Sequence, residues 1–236
     1  MKESLPQQET VIVPSISILD QIYEALKERI LLGKIAPGER IIESVIAEDF
    51  RTSRTPVRGA FQRLIQDGLV ERVLQGGLRV NVINARMIQE IFGLRAVLEV
   101  YAGELACDNI EAETLLKLKN MSRQARELLS RPEANNPDGL MRLWQISTSF
   151  HETIYRAAGS EQLLKMISQL NNLVRRFRFL SLRKTRTRAW DEHESMIRYL
   201  ESKNRVKLGK LMKAHVELAA SDALKALGND RWEKEA

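Results

Sequence analysis

The segment Arg51-Thr52-Ser53-Arg54-Thr55-Pro56-Val57-Arg58-Gly59-Ala60-Phe61-Gln62-Arg63-Leu64 decides the fold of the first third of the chain. Its Thr-Ser pair can cap the N-terminus of a helix, and Pro56 suits a first helical turn, where a backbone N–H has no intrahelical partner. Apolar residues recur at helical spacing and predict one buried face: Val57, Ala60, Phe61 and Leu64. The opposite face is polar: Arg54, Thr55, Arg58 and Gln62. Because the segment holds four arginines and no acidic residue, this polar face is cationic.

A short helix of this composition has the chemistry needed to read the major groove of DNA. Arginine can contact guanine through two hydrogen bonds, and hydroxyl and amide groups can reach other base edges or phosphates. A solvated amphipathic helix with a cationic face would show the same residues. The neighbouring elements therefore have to distinguish between the two interpretations.

Two helices and a hairpin flank this segment. Helical patterns cover residues 18–33 and 42–50, and strand patterns follow at 69–74 and 78–82. Gln75-Gly76-Gly77 joins the strands as a turn, where glycine permits the positive φ that a tight hairpin requires. Three helices followed by a glycine-tipped hairpin describe a winged helix-turn-helix, with the third helix as recognition helix and the hairpin as wing.

The distribution of charge within residues 18–83 favours DNA as the partner of this predicted domain. The domain contains ten Lys and Arg residues against nine Asp and Glu residues, so its net charge is nearly zero. Four of the basic residues fall in the decisive segment, which places the positive charge where a DNA-reading face is expected. The net charge of +6 for the whole 236-residue chain also favours an anionic partner, although many basic proteins bind none.

The rest of the chain is predicted to be an all-α antiparallel bundle. Six helical patterns with short connections cover residues 84–107, 111–130, 138–158, 161–182, 186–202 and 205–227. We place the break between the fourth and fifth of them at residues 184–187. The predicted fold is mainly α, with a winged helix-turn-helix at 18–83, a helical domain at 84–228 and flexible tails at 1–17 and 229–236.

The composition narrows the cellular setting. The single cysteine, Cys107, excludes an internal disulfide and a thiolate metal cluster, and is typical of a protein in the reducing cytoplasm. No apolar run approaches the length of a membrane-spanning helix, and the N-terminus lacks a signal-peptide pattern. We expect a cytoplasmic protein that does not associate with a membrane.

Short motifs in both halves of the chain resemble one family of bacterial transcription regulators. The first half resembles the DNA-binding domain of the GntR family through Gly38-Glu39-Arg40-Ile41, Ile46-Ala47-Glu48, Ser53-Arg54-Thr55-Pro56-Val57-Arg58, Leu64 and Asp67-Gly68-Leu69-Val70. The second half resembles the FCD effector domain of that family's FadR subfamily. The matching residues there are Leu94-Arg95-Ala96-Val97-Leu98-Glu99, residues 150–159, Glu192-His193 and His215.

The resemblance implies a set of DNA contacts, with two departures from the family pattern. The implied contacts are made by Ser53, Arg54, Thr55 and Arg58, with Gln62 on the same face and with Gly76 and Gly77 shaping the wing tip. Arg51 stands where the turn before the recognition helix usually carries glycine, and it adds a phosphate contact. Gly59 stands where glutamate is usual, and it should weaken the helix by about 1 kcal/mol relative to alanine.

The chain contains only three histidines, and they lie on three different predicted helices: His151, His193 and His215. The resemblance implies that each occupies a position that binds a divalent metal in many FCD domains. Imidazoles from facing helices can hold a transition metal such as Zn²⁺ or Ni²⁺. The family's fourth ligand is an Asp one helical turn before the first histidine, and here that position is Ser147. The alternatives are a three-histidine site completed by water or an effector carboxylate, and a polar pocket that binds effector without metal.

Arginines in the second half are candidates for binding an effector. Arg95 matches an FCD arginine that reaches toward an effector's carboxylate in relatives, while its spacing from Glu99 also allows an i,i+4 ion pair. The two roles are compatible. Residues 175–188 hold seven basic residues and no acid: Arg175, Arg176, Arg178, Arg183, Lys184, Arg186 and Arg188. Such a run is usually a solvated face, and the alternative is that some of them line the pocket or face the DNA-binding domain.

These observations predict a non-enzymatic, ligand-responsive transcription regulator, with repression as the arrangement that the resemblance favours. It would act as a homodimer, because two recognition helices on a two-fold axis read a palindromic operator in double-stranded DNA. The effector would be a small organic or sugar acid that carries a carboxylate. One alternative is a regulator that senses the metal itself. A metal-dependent hydrolase is the other, but Glu152 should face away from His151 by about 100°, which disfavours catalysis.

Overall fold

The computed structural model describes residues 17–74 and 76–229, without the side chains of residues 176, 180–184, 228 and 229. The two predicted tails therefore lie outside the described residues, apart from Ser17, whose hydroxyl caps the first helix, and Asn229, which ends the last. Gln75, the first residue of the predicted hairpin turn, also lies outside them.

Three helices form the first part of the fold, where the sequence predicts them. They are α1 (Ile18–Leu31), α2 (Glu43–Asp49) and α3 (Arg54–Gln66). The predicted apolar face of α3 is at most 5 % exposed and packs in one core with residues of α1 and α2: Val57, Ala60, Phe61 and Leu64. Burial of this face orients the polar face of α3 toward solvent.

A small antiparallel sheet follows, with the strand order β1-β3-β2. Its strands are β1 (Arg40–Ile41), β2 (Val70–Arg72) and β3 (Leu78–Val80), and Arg72 of β2 lies opposite Leu78 of β3. The β2–β3 pair is the predicted wing, with strands shorter than predicted. The sequence did not reveal β1, because a two-residue strand is too short to show alternation of apolar and polar residues.

Beyond Asn84 the described chain is helical, which confirms the predicted mainly α fold. The helices are α4 (Ala85–Asn109), α5 (Ala112–Leu129), α6 (Pro137–Ala157), α7 (Glu161–Leu173), α8 (Arg175–Glu201) and α9 (Arg205–Asn229), with a 3-10 turn at Pro132–Asn135. None of the helices in the described part of the chain is both long enough and apolar enough to cross a membrane.

The predicted break at residues 184–187 is wrong. Helix α8 is continuous from Arg175 to Glu201, and the preceding break lies at Val174, whose φ of −107° and ψ of 15° leave the helical range. Residues 184–187 contain neither Gly nor Pro, so nothing there obliges a helix to end. The helix packs against α5 and α9, and these tertiary contacts override weak local propensity.

The bundle core places the three histidines at one point. Apolar side chains from several helices fill it, among them Phe150, Ile154, Trp190 and Leu208. Helices α6, α8 and α9 each contribute one histidine beside these residues. A metal or ligand site can therefore form inside the bundle without any loop.

Candidate functional sites

The polar face of α3 is exposed, as the sequence predicts. Ser53 is the N-cap residue in extended conformation, but its side chain makes no capping hydrogen bond. It is exposed, and so are the other polar residues of this face: Arg54, Thr55, Arg58 and Gln62. The uncapped first turn leaves backbone N–H groups that can bind a phosphate.

Arg58 forms an ion pair that links α3 to α2. Its Nε lies 3.0 Å from both carboxylate oxygens of Glu43, and 68 % of the Arg58 side chain is exposed. An ion pair at such an exposed position contributes less than about 1 kcal/mol. The guanidinium is therefore accessible and can exchange Glu43 for a DNA group at low cost.

Arg51 adopts the left-handed backbone conformation, which glycine adopts most easily. Its φ is +49°, and it lies in the turn between α2 and α3. A side chain in this region costs about 1 kcal/mol or more relative to glycine. The exposed arginine is thus kept at a position where it strains the backbone.

The two wing glycines have different structural roles. Gly76 and Gly77 take φ values of +81° and +88°, which confirms the predicted positive φ. A Cβ on Gly77 would lie 2.7 Å from the carbonyl oxygen of Ile41, whereas a Cβ on Gly76 would meet nothing within 4 Å. The Arg40 guanidinium donates to the Gly76 carbonyl oxygen at 2.6 Å. Gly77 is therefore required both by its backbone conformation and by packing against β1, and Gly76 by backbone conformation alone.

The three histidines converge in the bundle core. One side-chain nitrogen of each lies within 4.8 Å of the other two, and Nε2 of His151 is 3.1 Å from Nε2 of His193. His151 and His193 are 4 % and 0 % exposed, while His215 is partly buried. Three helices therefore bring these residues together, as the sequence predicts.

Glu192 fixes the orientation of His215. Its Oε2 accepts a hydrogen bond from His215 Nδ1 at 2.5 Å, so we assign a proton to Nδ1. Nε2 of His215 is then the nitrogen that can bind a metal. A carboxylate in this position is the usual outer partner of a metal-binding histidine.

The donor set fits a divalent transition metal. Burial is the main reason that the pKa of His151 lies well below its usual value, and the neighbouring His193 and His215 lower it further. Burial and the neighbouring His215 also lower the pKa of His193 well below its usual value. Both rings are therefore neutral at pH 7 and can offer lone pairs. Two nitrogens bound to one ion at about 2.1 Å each lie roughly 3.0–3.4 Å apart, which matches their 3.1 Å separation.

A pocket with a cavity volume of about 50 Å³, partly open to solvent, adjoins the histidines, and we call it the first chamber. Its charged lining comprises three arginines and one glutamate: Arg95, Arg178, Arg188 and Glu192. Ser147 also lines it, one helical turn before His151, and is 8 % exposed. Arg188 pairs with Asp222 at 3.0 Å and lies 3.6 Å from Glu192, and Arg95 pairs with Glu99. Among the described residues, Arg178 is therefore the lining cation without a carboxylate partner, and it favours an anionic ligand. Ser147 offers a hydroxyl where an Asp would offer a carboxylate.

Arg95 forms a buried ion pair and also lines the first chamber. Its Nε lies 2.8 Å from Glu99 Oε1 with both side chains almost fully buried, and Glu99 also accepts from the Tyr155 hydroxyl at 2.5 Å. The predicted i,i+4 ion pair is confirmed. Arg95 also lines the first chamber, and its buried Nη1 has no hydrogen-bond partner. One side of the guanidinium is thus held by the protein while the other lacks an acceptor.

Comparisons with known proteins match both halves of the chain. Residues 18–80 match the family described as bacterial regulatory proteins, gntR family, and residues 90–218 match the FCD domain. The chain belongs to the GntR family, with an FCD domain. Members of this family are DNA-binding transcription regulators rather than enzymes, which removes the hydrolase alternative.

Relatives of this GntR regulator include two named repressors of Escherichia coli strain K12. The repressor RspR is 27% identical over 73% of each chain, and the repressor GlaR is 28% identical over 82% of this chain and 90% of its own. Among solved structures, Escherichia coli McbR/YncC superposes with a TM-score of 0.70 at 20% identity over 90% of this chain and 100% of its own. The crystal structure of a GntR-type transcriptional regulator from Rhodococcus sp. RHA1 superposes with a TM-score of 0.67 at 22% identity, over 88% of this chain and 98% of its own. These structural likenesses concern the fold.

Three arginines of the 175–188 run follow the alternative interpretation, in which some of them line the pocket or face the DNA-binding domain. Arg178 and Arg188 line the first chamber, and Arg175 pairs with Asp67 of the DNA-binding half. Arg176, Arg183 and Lys184 lie outside the described side chains. A continuous helix would have revealed the pattern, because Arg178, Thr185 and Glu192 recur every seven residues and share one face.

Proposed function

We propose that this GntR regulator is a repressor that releases its operator when its helical domain binds a small organic or sugar acid. Residues 18–83 form the DNA-binding domain and residues 84–228 the effector-binding domain. The observation that carries the proposal is the convergence of three histidines beside a pocket lined by arginines. Two relatives named as repressors support the sign of the response.

We propose that the face of α3 reads the operator in the major groove. Arg54, Thr55, Arg58 and Gln62 would contact bases and phosphates, with Ser53 and Arg51 binding phosphates at its start. Gly76 and Gly77 would bring the wing close to the adjacent backbone or minor groove. All of these residues are exposed except Gly77, which is partly buried against β1.

We propose that the regulator binds a palindromic operator as a homodimer in the cytoplasm. Support comes from an apolar stripe on α4, where four residues are 38–69% exposed: Met87, Leu94, Val97 and Tyr101. Their spacing puts them on one side of the helix. A second copy that covers this stripe would place two recognition helices about a common two-fold axis.

We propose that His151, His193 and His215 hold a divalent transition metal, Zn²⁺ or Ni²⁺. An ion held there supplies a fixed positive charge that attracts a carboxylate. Ser147 is a neutral neighbour, so the site has open positions and lower affinity than one with Asp. Arg95, Arg178 and Arg188 would then pair with the remaining oxygens of the acid.

Binding to a 30-base-pair operator, selected from a random duplex library by the purified protein, tests the proposal. Wild type should bind in a salt-dependent manner, and Arg58→Ala should lose about tenfold or more in affinity without a change in thermal stability. Arg123→Ala is the matched control, since Arg123 is also exposed and paired with a glutamate, on α5. Equal loss in both variants would contradict a reading role for α3.

Adding chelating acids to the operator complex tests the sensing half. An acid that releases DNA from wild type, and not from Arg188→Gln, supports the proposed effector site. Release by Zn²⁺ or Ni²⁺ alone, with no acid effective, would instead make the protein a metal sensor. Absence of any response to acids or metals would contradict ligand control.

A further inference from the structure

A second chamber adjoins the first chamber. Its cavity volume is about 40 Å³, and it shares Trp144, His151 and Arg178 with the first chamber. The junction between α7 and α8 forms one wall through Asn171, Asn172 and Arg175. A ligand anchored at the histidines can therefore extend into either chamber.

The second chamber has a largely polar lining, and some of its hydrogen-bonding groups are unsatisfied. The Thr148 hydroxyl and the Asn171 side-chain oxygen line it, and both atoms are buried without a hydrogen-bond partner. Leaving a buried polar group without a hydrogen bond is unfavourable. Because both residues line the same cavity, a polar ligand that enters it can supply the missing hydrogen bonds.

Arg178 gives this chamber an uncompensated positive charge. Its guanidinium lies 5.3 Å from the ring centre of Trp144, and no described carboxylate pairs with it. Burial, together with the nearby Arg95, lowers the pKa of Arg178 to about 10, so it remains charged at pH 7. The acid that lines this chamber, Glu152, is exposed at its edge.

The start of α8 adds to the preference for an anion. Val174 provides no side-chain cap, so the first N–H groups of this 27-residue helix lack a capping acceptor. Helix N-termini carry partial positive charge that favours anions. Arg175, Arg178 and two unpaired hydrogen-bonding groups thus belong to the lining of one cavity beside the start of α8.

Arg175 connects this chamber to the recognition helix. Its Nη2 donates to Asn172 Oδ1 at 2.6 Å inside the wall, and its Nη1 lies 3.1 Å from Oδ2 of Asp67. Asp67 is the C-cap residue of α3 and also accepts a hydrogen bond from Tyr23 of α1. Next to it, a Cβ on Gly68 would lie 3.1 Å from Leu173 of α7, so the two domains are in close contact here.

We propose that the second chamber binds a second acidic group of the effector, and that this group competes with Asp67 for Arg175. The effector is then a diacid, with one end at the histidines and the other at Arg178 and Arg175. Loss of the Arg175–Asp67 pair frees the end of α3 from the helical bundle. This inference rests on the proposed acid-binding function and specifies its ligand and its link to DNA.

The test compares matched acids by isothermal titration calorimetry on the full-length protein as purified. The pairs are malate with 2-hydroxybutyrate, 2-hydroxyglutarate with 2-hydroxyvalerate, and 2-hydroxyadipate with 2-hydroxyhexanoate. Each pair has the same chain length and differs by one carboxylate. At least one diacid should bind about tenfold or more tightly than its partner, and Arg175→Gln should remove most of that ratio. Arg188→Gln, in the first chamber, should weaken the binding of both acids in a pair and preserve the ratio of their affinities.

Asp67→Asn tests the competition itself. Asp67 lies outside the chamber and does not contact the ligand. Breaking its ion pair with Arg175 should therefore tighten diacid binding by about threefold to tenfold and leave the affinity for monoacids unchanged. Asp49→Asn is the control, since Asp49 pairs with Arg29 elsewhere in the DNA-binding half. A mere structural role for Asp67 would not tighten binding of a distant ligand.

The outcomes separate this inference from the proposed function. Binding of monoacids and diacids with equal affinity would leave acid sensing intact and overturn the second chamber. Unchanged or weaker diacid binding in Asp67→Asn would overturn the competition. Failure of every acid to bind would overturn both the proposed acid effector and this extension of it.

Discussion

Nε2 of His151 on α6 lies 3.1 Å from Nε2 of His193 on α8, in the interior of the helical bundle. Two lone pairs at this distance repel each other, so a proton or a cation must lie between them. Both Nδ1 atoms are buried without a partner, so the surrounding protein does not determine which ring carries the proton. This pair, with His215 beside it, is the basis of the proposed metal site.

Ser147→Asp should strengthen metal binding. The substitution places a carboxylate one turn before His151, within the lining of the first chamber, and restores the family's fourth ligand. We expect an affinity for Zn²⁺ at least about tenfold higher, equivalent to about 1.4 kcal/mol. Competition with a zinc-binding indicator measures it. Ser149→Asp adds the same charge on the exposed side of α6 and should have no effect; equal gains in both variants would contradict the assignment of Ser147.

Arg51→Gly should separate stability from DNA binding. Removing a side chain at φ +49° relieves strain, and after the added freedom of the unfolded chain the net gain should be about 0.5–1 kcal/mol. If Arg51 contacts a phosphate, operator affinity should fall. The slope of the logarithm of the binding constant against the logarithm of salt concentration should also become shallower by about 1. Denaturant unfolding and fluorescence anisotropy provide the two readouts.

Lys203→Gly serves as the control for that prediction. Lys203 has φ +52° in the loop between α8 and α9, so the backbone change is the same but lies in the effector half. Operator affinity should not change in this variant. An Arg51→Gly variant with wild-type affinity and salt dependence would show that Arg51 does not touch DNA.

The two wing glycines should respond differently to alanine. Gly76→Ala introduces strain from its φ of +81° and should cost about 1–2 kcal/mol. Gly77→Ala adds a methyl 2.7 Å from the Ile41 carbonyl oxygen, so it should cost more and separate the wing from β1. Thermal unfolding compares them. Equal destabilisation would mean that the contact with β1 relaxes freely.

Glu99→Gln should be strongly destabilising. It leaves the Arg95 guanidinium buried without an opposite charge and weakens the hydrogen bond from Tyr155. Such a change costs about 3–5 kcal/mol. Glu90→Gln is a matched control on the same helix, because Glu90 forms an exposed i,i+4 pair with Arg86. A loss below about 1 kcal/mol in Glu99→Gln would show that the buried pair is not essential to the fold.

The strongest sequence signals lay in residues that act locally. Val57, Ala60, Phe61 and Leu64 define α3 because helical spacing alone decides which side is buried. The glycines of the wing tip predicted the hairpin because few other residues tolerate their φ. The three histidines were recognisable because the chain contains no others.

The boundary between α7 and α8 could not be predicted in the same way. Val174 ends a helix without Gly or Pro nearby, whereas Thr185 and Thr187, within a run of cations, resemble a break although α8 continues through them. Apart from the Arg188–Glu192 pair at its end, that run lacks acids at i,i+4 spacing, so it has little local stabilisation and depends on packing against other helices. With the boundary misplaced, the shared face of Arg178 and Thr185, and hence the pocket lining, remained hidden.

Metal content of the untagged protein tests the central claim most directly. Mass spectrometry of purified wild type should find about one equivalent of Zn or Ni per chain. His193→Ala, and His215→Asn at the partly exposed ligand, should both lack it while remaining folded by circular dichroism. A metal-free wild type that still unfolds cooperatively, and that takes up neither ion on titration, would contradict the three-histidine metal site.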